Sequence, residues 1–215
     1  MKLYAYDTEL FPFAEIVGSM FGGVRDLTLL HNHSDAKGLD LVVRETDSVT
    51  PLHPHYYDNF NLMEELWNSF AREHLLPLFE GDVLVQRIPT FRVQLPNNKA
   101  VGEFHKDSKY GHTNGALNIF LPLTDTNAYN TIWVETAPGL GDYAPVVLKY
   151  GEFALWDGVN HMHGNFKNSS QITRVSIDAR LLSTSGLPEK WDKSAKSINM
   201  KIPLAEGGYY QRMKQ

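Results

Sequence analysis

Short segments with a two-residue hydrophobic period dominate the sequence from Val83 onward, and they constrain the fold more than any other feature. Gly, Pro, Asn and Asp turns separate these segments, and no helical pattern lies between them. Strands joined in this way pair antiparallel, so the sequence predicts an antiparallel sandwich or barrel rather than a β-α-β fold. The predicted strands are 83–85, 91–95, 116–120, 131–135, 145–148, 152–156 and 172–181.

The clearest helical pattern covers residues 61–70, where the apolar side chains recur on one stripe at Met63, Leu66, Trp67 and Phe70. Asn61 and Glu64 have the spacing of a capping box, and Pro77 is expected to end the helix. The charged tail 189–215 is less regular. A flap and a dimer contact are alternatives, but we expect it to cover the surface.

The composition is typical of one globular domain. The 215 residues are 42% hydrophobic and 21% charged, so we expect a single domain with a core at about 83–182 and supporting segments at 1–82 and 183–215. A net charge of −5 argues against nucleic acid as a partner. Without long apolar runs or a signal peptide, the sequence predicts no membrane contact and a cytoplasmic location. It leaves the oligomeric state open.

Histidine and carboxylate are the strong metal ligands available, because the chain has no cysteine. His105 and Asp107 form an H-x-D triplet, and a His-Gly pair at His163 follows later in the chain. Two imidazoles and one carboxylate leave half of an octahedral coordination sphere open, as in non-haem Fe(II) oxygenases. Gly164 favours His163 as the second histidine because it allows a sharp turn, but His161 stays an alternative.

Polar and apolar residues alternate from Arg174 to Arg180. A strand with this pattern places Arg174, Ser176, Asp178 and Arg180 on one face. Such a face is usually exposed to solvent. Because it follows a possible metal ligand, however, we expect it to line an internal cavity, where Arg174 and Ser176 bind a cosubstrate carboxylate.

These motifs resemble the Fe(II)/2-oxoglutarate-dependent dioxygenase superfamily. Within it, the chain is similar to the phytanoyl-CoA-hydroxylase-like group and its small oxygenases of the streptomycin-biosynthesis and amino-acid halogenase type. The similar region runs from about 83 to 182 and includes the segments 104–107, 118–124, 130–135, 156–158, 163–164 and 174–176.

The resemblance implies a mainly β fold, a double-stranded β-helix or jelly roll with flanking helices. It also implies that His105, Asp107 and His163 bind Fe(II) and that Arg174 pairs with 2-oxoglutarate. O2 is then the second cosubstrate, succinate and CO2 are released, and hydroxylation of a C–H bond is the expected outcome. Asp107 stands where related halogenases have Gly or Ala, which argues against halogenation.

Further residues are assigned from strand faces. The resemblance implies Asn118 and Thr131 as candidates for contact with 2-oxoglutarate, because related strands supply amide and hydroxyl groups there, and Gln94, on the same face as Arg92, is a further candidate. The candidates for contact with a polar small-molecule substrate, cationic or hydroxylated, are Arg92, Glu103, Trp133, Glu135 and Arg180. Asp178 is expected to pair with Arg180. His53, His55 and His112 lie in predicted loops, where contact with substrate is an alternative, but we expect surface histidines without a partner.

Two other functions are compatible with a jelly roll, because fold alone does not determine function. One is a cupin-like isomerase or epimerase that uses Arg, His and Asp for acid-base chemistry. The other is a binding domain that holds metal and ligand without turnover. Neither accounts for the order of H-x-D, His-Gly and Arg-x-Ser, so the oxygenase is the preferred interpretation.

Overall fold

The computed structural model describes residues 1–187, 194–197 and 201–215. These residues form ten strands and three α-helices, joined by short 3-10 turns. The helices are α1 (Phe13–Met20), α2 (His53–Tyr57) and α3 (Glu64–Phe70). The strands are β1 (Lys2–Ala5), β2 (Val83–Gln86), β3 (Thr90–Gln94), β4 (Ala116–Pro122), β5 (Trp133–Glu135), β6 (Tyr143–Pro145), β7 (Glu152–Trp156), β8 (His163–Gly164), β9 (Arg174–Ser183) and β10 (Tyr210–Met213).

The strands form two antiparallel sheets. The major sheet has the order β1-β7-β4-β9-β2-β10, and β3 also pairs with β9. The long strand β9 therefore contacts β4 along one edge and β2 followed by β3 along the other. The minor sheet has the order β6-β5-β8. This arrangement is a double-stranded β-helix, and the predicted fold class is confirmed.

Both faces of β9 are buried, which explains its alternating sequence. Val175, Ile177 and Ala179 belong to the main hydrophobic core, together with side chains of the N-terminal helices. Arg174, Ser176 and Arg180 are also buried, on the opposite face of the strand. The polar face is therefore interior, as the cavity hypothesis requires.

The helices pack against the outer face of the major sheet. Phe13 and Val17 of α1 and Trp67 and Phe70 of α3 are fully buried in the same core as the apolar face of β9. The Trp67 indole also donates a hydrogen bond to the carbonyl of Gln86, 3.0 Å away. Burying one such aromatic side chain contributes roughly 2–3 kcal/mol, so these helices stabilise the sheet that carries the candidate site.

The predicted helix differs from the observed one at both ends. Residues 60–62 form a 3-10 turn, α3 begins at Glu64, and no side chain caps its N-terminus, so the predicted capping box is wrong. The chain continues through a π-helical turn at Ala71–Leu75 and ends in a 3-10 turn at Leu76–Leu78. Pro77 lies inside that last turn, where the first turn of a helix tolerates a residue without an N–H.

The tail is part of the sheet, so the prediction that it only covers the surface is wrong. Strand β10 pairs with β2, and Leu204, Tyr209 and Tyr210 are buried against Leu84 and Leu182. The tail residues 189–193 and 198–200 lie outside the described residues. Strand β5 is shorter than the predicted 131–135, and β6 precedes the predicted 145–148. Within the described ranges, no helix has the length and hydrophobicity needed to cross a bilayer.

Candidate metal centre

His105, Asp107 and His163 converge at one end of the interior space. The Nε2 atoms of His105 and His163 lie 3.4 Å and 3.6 Å from Oδ1 of Asp107. One ligand atom from each residue lies within 4.8 Å of the other two, and all three residues are buried. Neighbouring ligands of one metal ion with bonds of about 2.1 Å lie about 3 Å apart, so small shifts are enough to bind an ion.

Backbone pairing holds the two histidines together. The N–H of His105 donates to the carbonyl of His163 at 2.8 Å, and the N–H of His163 donates to the carbonyl of His105 at 2.9 Å. Gly164 follows in β8, and a Cβ there would lie 2.8 Å from the ring of Phe104. The glycine is therefore required by the close approach of Phe104, and the sharp turn expected from the sequence is not its role.

The second nitrogen of each imidazole determines which nitrogen can bind a metal. Nδ1 of His105 lies 3.1 Å from the carbonyl of Glu103, and Nδ1 of His163 lies 3.0 Å from the carbonyl of His161. A carbonyl oxygen only accepts hydrogen bonds, so Nδ1 carries the proton in both rings. Nε2 then offers its lone pair to the space shared with Asp107, as in metal sites where a backbone carbonyl orients the histidine.

The structure brings His163 to this site and places His161 elsewhere. Nδ1 of His161 lies 2.8 Å from the carbonyl of Asp157, and the side chain lines a separate cavity beside Glu135 and Trp156. Burial lowers the pKa of His163 to about 4, despite the opposing effect of Asp107. His163 is therefore neutral near pH 7, as a metal ligand must be.

Two side chains on the neighbouring strands β4 and β9 hold Asp107 in place. Arg180 donates from Nε to Oδ2 at 3.0 Å and from Nη2 to Oδ1 at 3.2 Å, and the Asn118 amide donates to Oδ2 at 2.8 Å. Burial alone would raise the pKa of Asp107, but Arg180 and the neighbouring histidines lower it well below its usual value. The carboxylate is thus ionised, with Oδ1 facing both histidines and Oδ2 enclosed.

Arg174 is a buried cation without an anion. Its side chain is fully buried and donates to the Asn130 carbonyl at 3.2 Å, Ser176 Oγ at 2.8 Å and Gln94 Oε1 at 3.2 Å. All three acceptors are neutral, and no carboxylate of the described residues lies within ion-pair distance. Burial lowers the pKa of Arg174 to about 10, yet it stays charged at pH 7. An unpaired buried guanidinium is suited to a carboxylate ligand.

An open cavity lies next to His105, with about 760 Å³ of space when the solvent at its mouth is included. Three arginines and Asp47 contribute charge to its wall, and tyrosine hydroxyls and polar side chains contribute hydrogen-bonding groups. The lining residues are Arg44, Asp47, Tyr57, Gln86, Ile88, Thr90, Arg92, His105, Tyr110, His112, Arg180, Ser197 and Tyr209. Its position beside the triad makes it the candidate substrate pocket.

Only two of the five predicted substrate residues line this cavity. They are Arg92, which contacts Asp178 and Ser48, and Arg180, which is bound to Asp107 rather than to Asp178 as expected. The other three lie outside the lining: Glu103 accepts hydrogen bonds from Lys109 and Tyr110, Glu135 accepts from the backbone of Gly141 and Met162, and the Trp133 ring packs on Phe166.

The predicted cosubstrate residues divide into two groups. Gln94 and Ser176 both contact the Arg174 guanidinium, as their shared strand faces suggested. Asn118 instead contacts Asp107, and the Thr131 hydroxyl donates to the carbonyl of Val146. Asn118 and Thr131 therefore have partners within the protein.

The expectation of surface histidines without a partner is wrong for His53, which is buried and contacts Thr50. His55 is partly exposed but pairs with Asp35, and His112 is partly exposed and lines the cavity. Tyr209, in the tail, also lines the cavity and donates to Gln86 Oε1 at 2.6 Å. The aromatic pair at 209–210 was the sequence signal that could have revealed a buried strand here.

Comparisons with known proteins find one relative by sequence and several solved structures with a similar fold. The streptomycin biosynthesis protein StrG of Streptomyces griseus is 36% identical over 210 residues, which cover 95% of this chain and 94% of that protein. The crystal structure of EctD from S. alaskensis with bound Fe has a TM-score of 0.51 at 16% identity, covering 88% of this chain and 74% of that one. The EctD structure with 2-oxoglutarate and 5-hydroxyectoine has a TM-score of 0.50 with the same identity and coverage. No protein-family model matches the chain.

The jelly roll with its buried His-Asp-His triad defines a double-stranded β-helix protein with a candidate metal centre. The extended similarity in sequence is more specific. The chain belongs to the family of the streptomycin biosynthesis protein StrG.

Proposed function

We propose that this protein is an Fe(II)- and 2-oxoglutarate-dependent hydroxylase of a polar small molecule. In the net reaction, a substrate C–H, O2 and 2-oxoglutarate give the alcohol, succinate and CO2. The observation that carries the proposal is the convergence of His105 Nε2, His163 Nε2 and Asp107 Oδ1 in a buried site. Three protein ligands leave coordination positions for a cosubstrate and O2.

The residues have separate roles in this proposal. His105, Asp107 and His163 hold the iron, which supplies the oxidative chemistry when bound. Arg180 holds both oxygens of Asp107 and Asn118 holds Oδ2, so that Oδ1, which faces both histidines, would be the oxygen available to a metal. Arg174, with Ser176 and Gln94 beside it, binds the far carboxylate of 2-oxoglutarate.

The cavity beside His105 is assigned to the substrate. Its lining of arginine, tyrosine, glutamine and threonine side chains is suited to a hydroxylated molecule rather than a lipid. EctD has been crystallised with 5-hydroxyectoine, and StrG belongs to the biosynthesis of streptomycin, so both relatives are compatible with a small polar substrate. The cytoplasmic location, the single domain and the absence of nucleic-acid or membrane partners stay predictions.

A succinate assay tests the proposal. Anaerobic protein receives Fe(II) and 2-oxoglutarate, air is admitted, and succinate is measured by mass spectrometry with and without a pool of candidate metabolites. We expect slow succinate release without substrate, because many oxygenases of this type decarboxylate 2-oxoglutarate without coupling. A metabolite that gains one oxygen atom in proportion to succinate identifies the substrate.

Matched histidine variants make the assay specific. His105→Ala and His163→Ala should abolish succinate release, whereas His161→Ala should retain it, because His161 is directed to Asp157 and not to Asp107. Anaerobic mixing should also give a visible charge-transfer band that both inactive variants lack. If wild-type protein binds iron but releases no succinate with any substrate pool, the isomerase or the binding domain becomes the better interpretation.

A further inference from the structure

A second His-Asp-His cluster lies apart from the triad. His33 lies between the two 3-10 turns that follow α1, Asp35 lies in the second of them, and His55 comes from α2. One ligand atom from each residue lies within 4.8 Å of the other two, and all three side chains are partly exposed. We call these three residues the His33 cluster. None of them takes part in the proposed reaction.

The two imidazoles are directed at one carboxylate oxygen. Nε2 of His55 lies 2.7 Å from Oδ2 of Asp35, and Nδ1 of His33 lies 3.9 Å from the same oxygen. Pairing of His55 with Asp35 explains the first contact. It does not explain why the His33 ring is directed at the same oxygen. Nδ1 of His33 accepts a 3.2 Å hydrogen bond from the backbone N–H of Asp35, so this nitrogen is unprotonated, as a metal ligand must be.

Packing fixes both rings in this arrangement. The His33 and His55 rings lie 5.1 Å apart, and both contact the buried ring of Phe21, at 5.8 Å and 5.0 Å between centroids. Phe21 in turn stacks on Phe91 of the major sheet. The imidazoles therefore have little rotational freedom to lose when they bind an ion.

The cluster lies at the base of a long loop. Residues 37–52 have no helix or strand, and His33 and Asp35 immediately precede this loop while His55 follows it. The loop carries Arg44 and Asp47 to the wall of the cavity beside His105. An ion that joined the two ends would reduce the freedom of the unbound loop and so favour its closed arrangement.

We propose that the His33 cluster is a second metal site, which takes a borderline divalent cation such as Zn²⁺ and joins the two ends of loop 37–52. Imidazole and carboxylate ligands suit this class of ion, and three protein ligands with water in the fourth position complete a tetrahedron. Ligand atoms of a tetrahedral Zn²⁺ lie about 3.4 Å apart. On binding, the 2.7 Å distance from His55 Nε2 to Asp35 Oδ2 must therefore lengthen, and the 3.9 Å distance from His33 Nδ1 to the same oxygen must shorten. The Zn²⁺ also replaces the backbone N–H of Asp35 as the partner of His33 Nδ1.

Zn²⁺ stoichiometry tests the proposal. The full chain is stripped with a chelator, titrated with Zn²⁺, passed through gel filtration and analysed for retained metal. Because Zn²⁺ also suits the triad, wild-type protein should retain two equivalents and His163→Ala should retain one. Adding His55→Gln or Asp35→Asn to His163→Ala should remove the remaining equivalent. His31→Ala is the matched control, since His31 contacts Thr173 and should leave the stoichiometry unchanged.

Trypsin reports on the loop independently of metal analysis. Lys37 and Arg44 are exposed cleavage sites within loop 37–52. In His163→Ala protein, Zn²⁺ should slow cleavage there severalfold, and His55→Gln should remove this protection. The proposal is overturned if His163→Ala retains no Zn²⁺, or if its retained Zn²⁺ survives loss of His55 and Asp35. Because the His33 cluster contains no residue of the triad, neither result affects the proposed oxygenase function.

Discussion

Replacing Arg174 with Met separates the binding role of this arginine from its role in the fold. The side chain is fully buried, and its three hydrogen bonds go to neutral acceptors of Asn130, Ser176 and Gln94. Met keeps much of the length and apolar volume but has no charge and no donors. The carboxylate of bound 2-oxoglutarate would then lie in a buried site without its cation.

The expected loss of binding follows from this burial. A hydrogen bond to a charged group contributes about 1.5–3 kcal/mol, and removal of one partner of a buried pair costs about 3–5 kcal/mol. We take about 3 kcal/mol, which corresponds to a loss of affinity on the order of 100-fold. The free energy of unfolding should change by less than the binding free energy does, by at most about 2 kcal/mol in either direction. The variant leaves buried acceptors without donors, but it also relieves the cost of burying an unpaired cation.

Calorimetry of 2-oxoglutarate binding, with Mn²⁺ in place of iron, measures the affinity, and urea unfolding measures the stability. Arg174→Lys keeps the charge but loses the planar fork, so we expect an intermediate loss of about tenfold. Arg92→Met is the matched control, because Arg92 lies on the adjacent strand but pairs with Asp178. If Arg174→Met binds within threefold of wild type while Arg92→Met loses affinity, the carboxylate site belongs to Arg92 and our assignment is refuted.

Three further predictions concern the groups around the site. Arg180→Met leaves the buried Asp107 carboxylate without its cation, so metal-free protein should lose about 3 kcal/mol of stability. Mn²⁺ should then raise the melting temperature more in this variant than in wild type, and equal shifts would contradict the pairing. Gly158→Ala places a Cβ 2.6 Å from Cγ of Asn118, which should cost about 1–3 kcal/mol in urea unfolding and lower succinate release, whereas an unchanged unfolding midpoint would refute the clash. Burial lowers the pKa of His53 to about 4, below its usual value near 6.5, so between these values the unfolded chain binds more protons. The contribution of His53 to stability is therefore complete above pH 6.5 and falls as the pH drops towards 4, by up to about 1.4 kcal/mol per pH unit. His53→Gln should reduce this dependence of the unfolding free energy on pH. If the variant keeps the wild-type pH dependence, His53 is not its cause.

The sequence by itself was sufficient for the fold class and for two of the three candidate metal ligands, His105 and Asp107. Strand period and turn residues are local properties, and they are enough to predict an antiparallel jelly roll because each strand must bury at least one face. The order of H-x-D, His-Gly and Arg-x-Ser is also readable along the chain. His105, Asp107 and Arg174 were therefore identified before any distance was known.

The tertiary structure decided which side chains meet. His161 and His163 are nearly equivalent in sequence, and only the backbone bridge to His105 brings His163 to Asp107. The pairing of Arg180 with Asp107 likewise depends on how β9 lies beside β4, where Arg180 is opposite Asn118. Such choices follow from strand register, which local periodicity does not specify between distant segments.

The wall of the candidate substrate pocket was beyond prediction for the same reason. Arg44, Tyr57 and Tyr209 come from a loop, a short helix and the tail, and they meet only because the N-terminal helices pack on the major sheet and β10 extends it. The candidate metal ligands occupy positions that a short motif can describe. The pocket wall is assembled from long-range contacts, and those exist only in the folded chain.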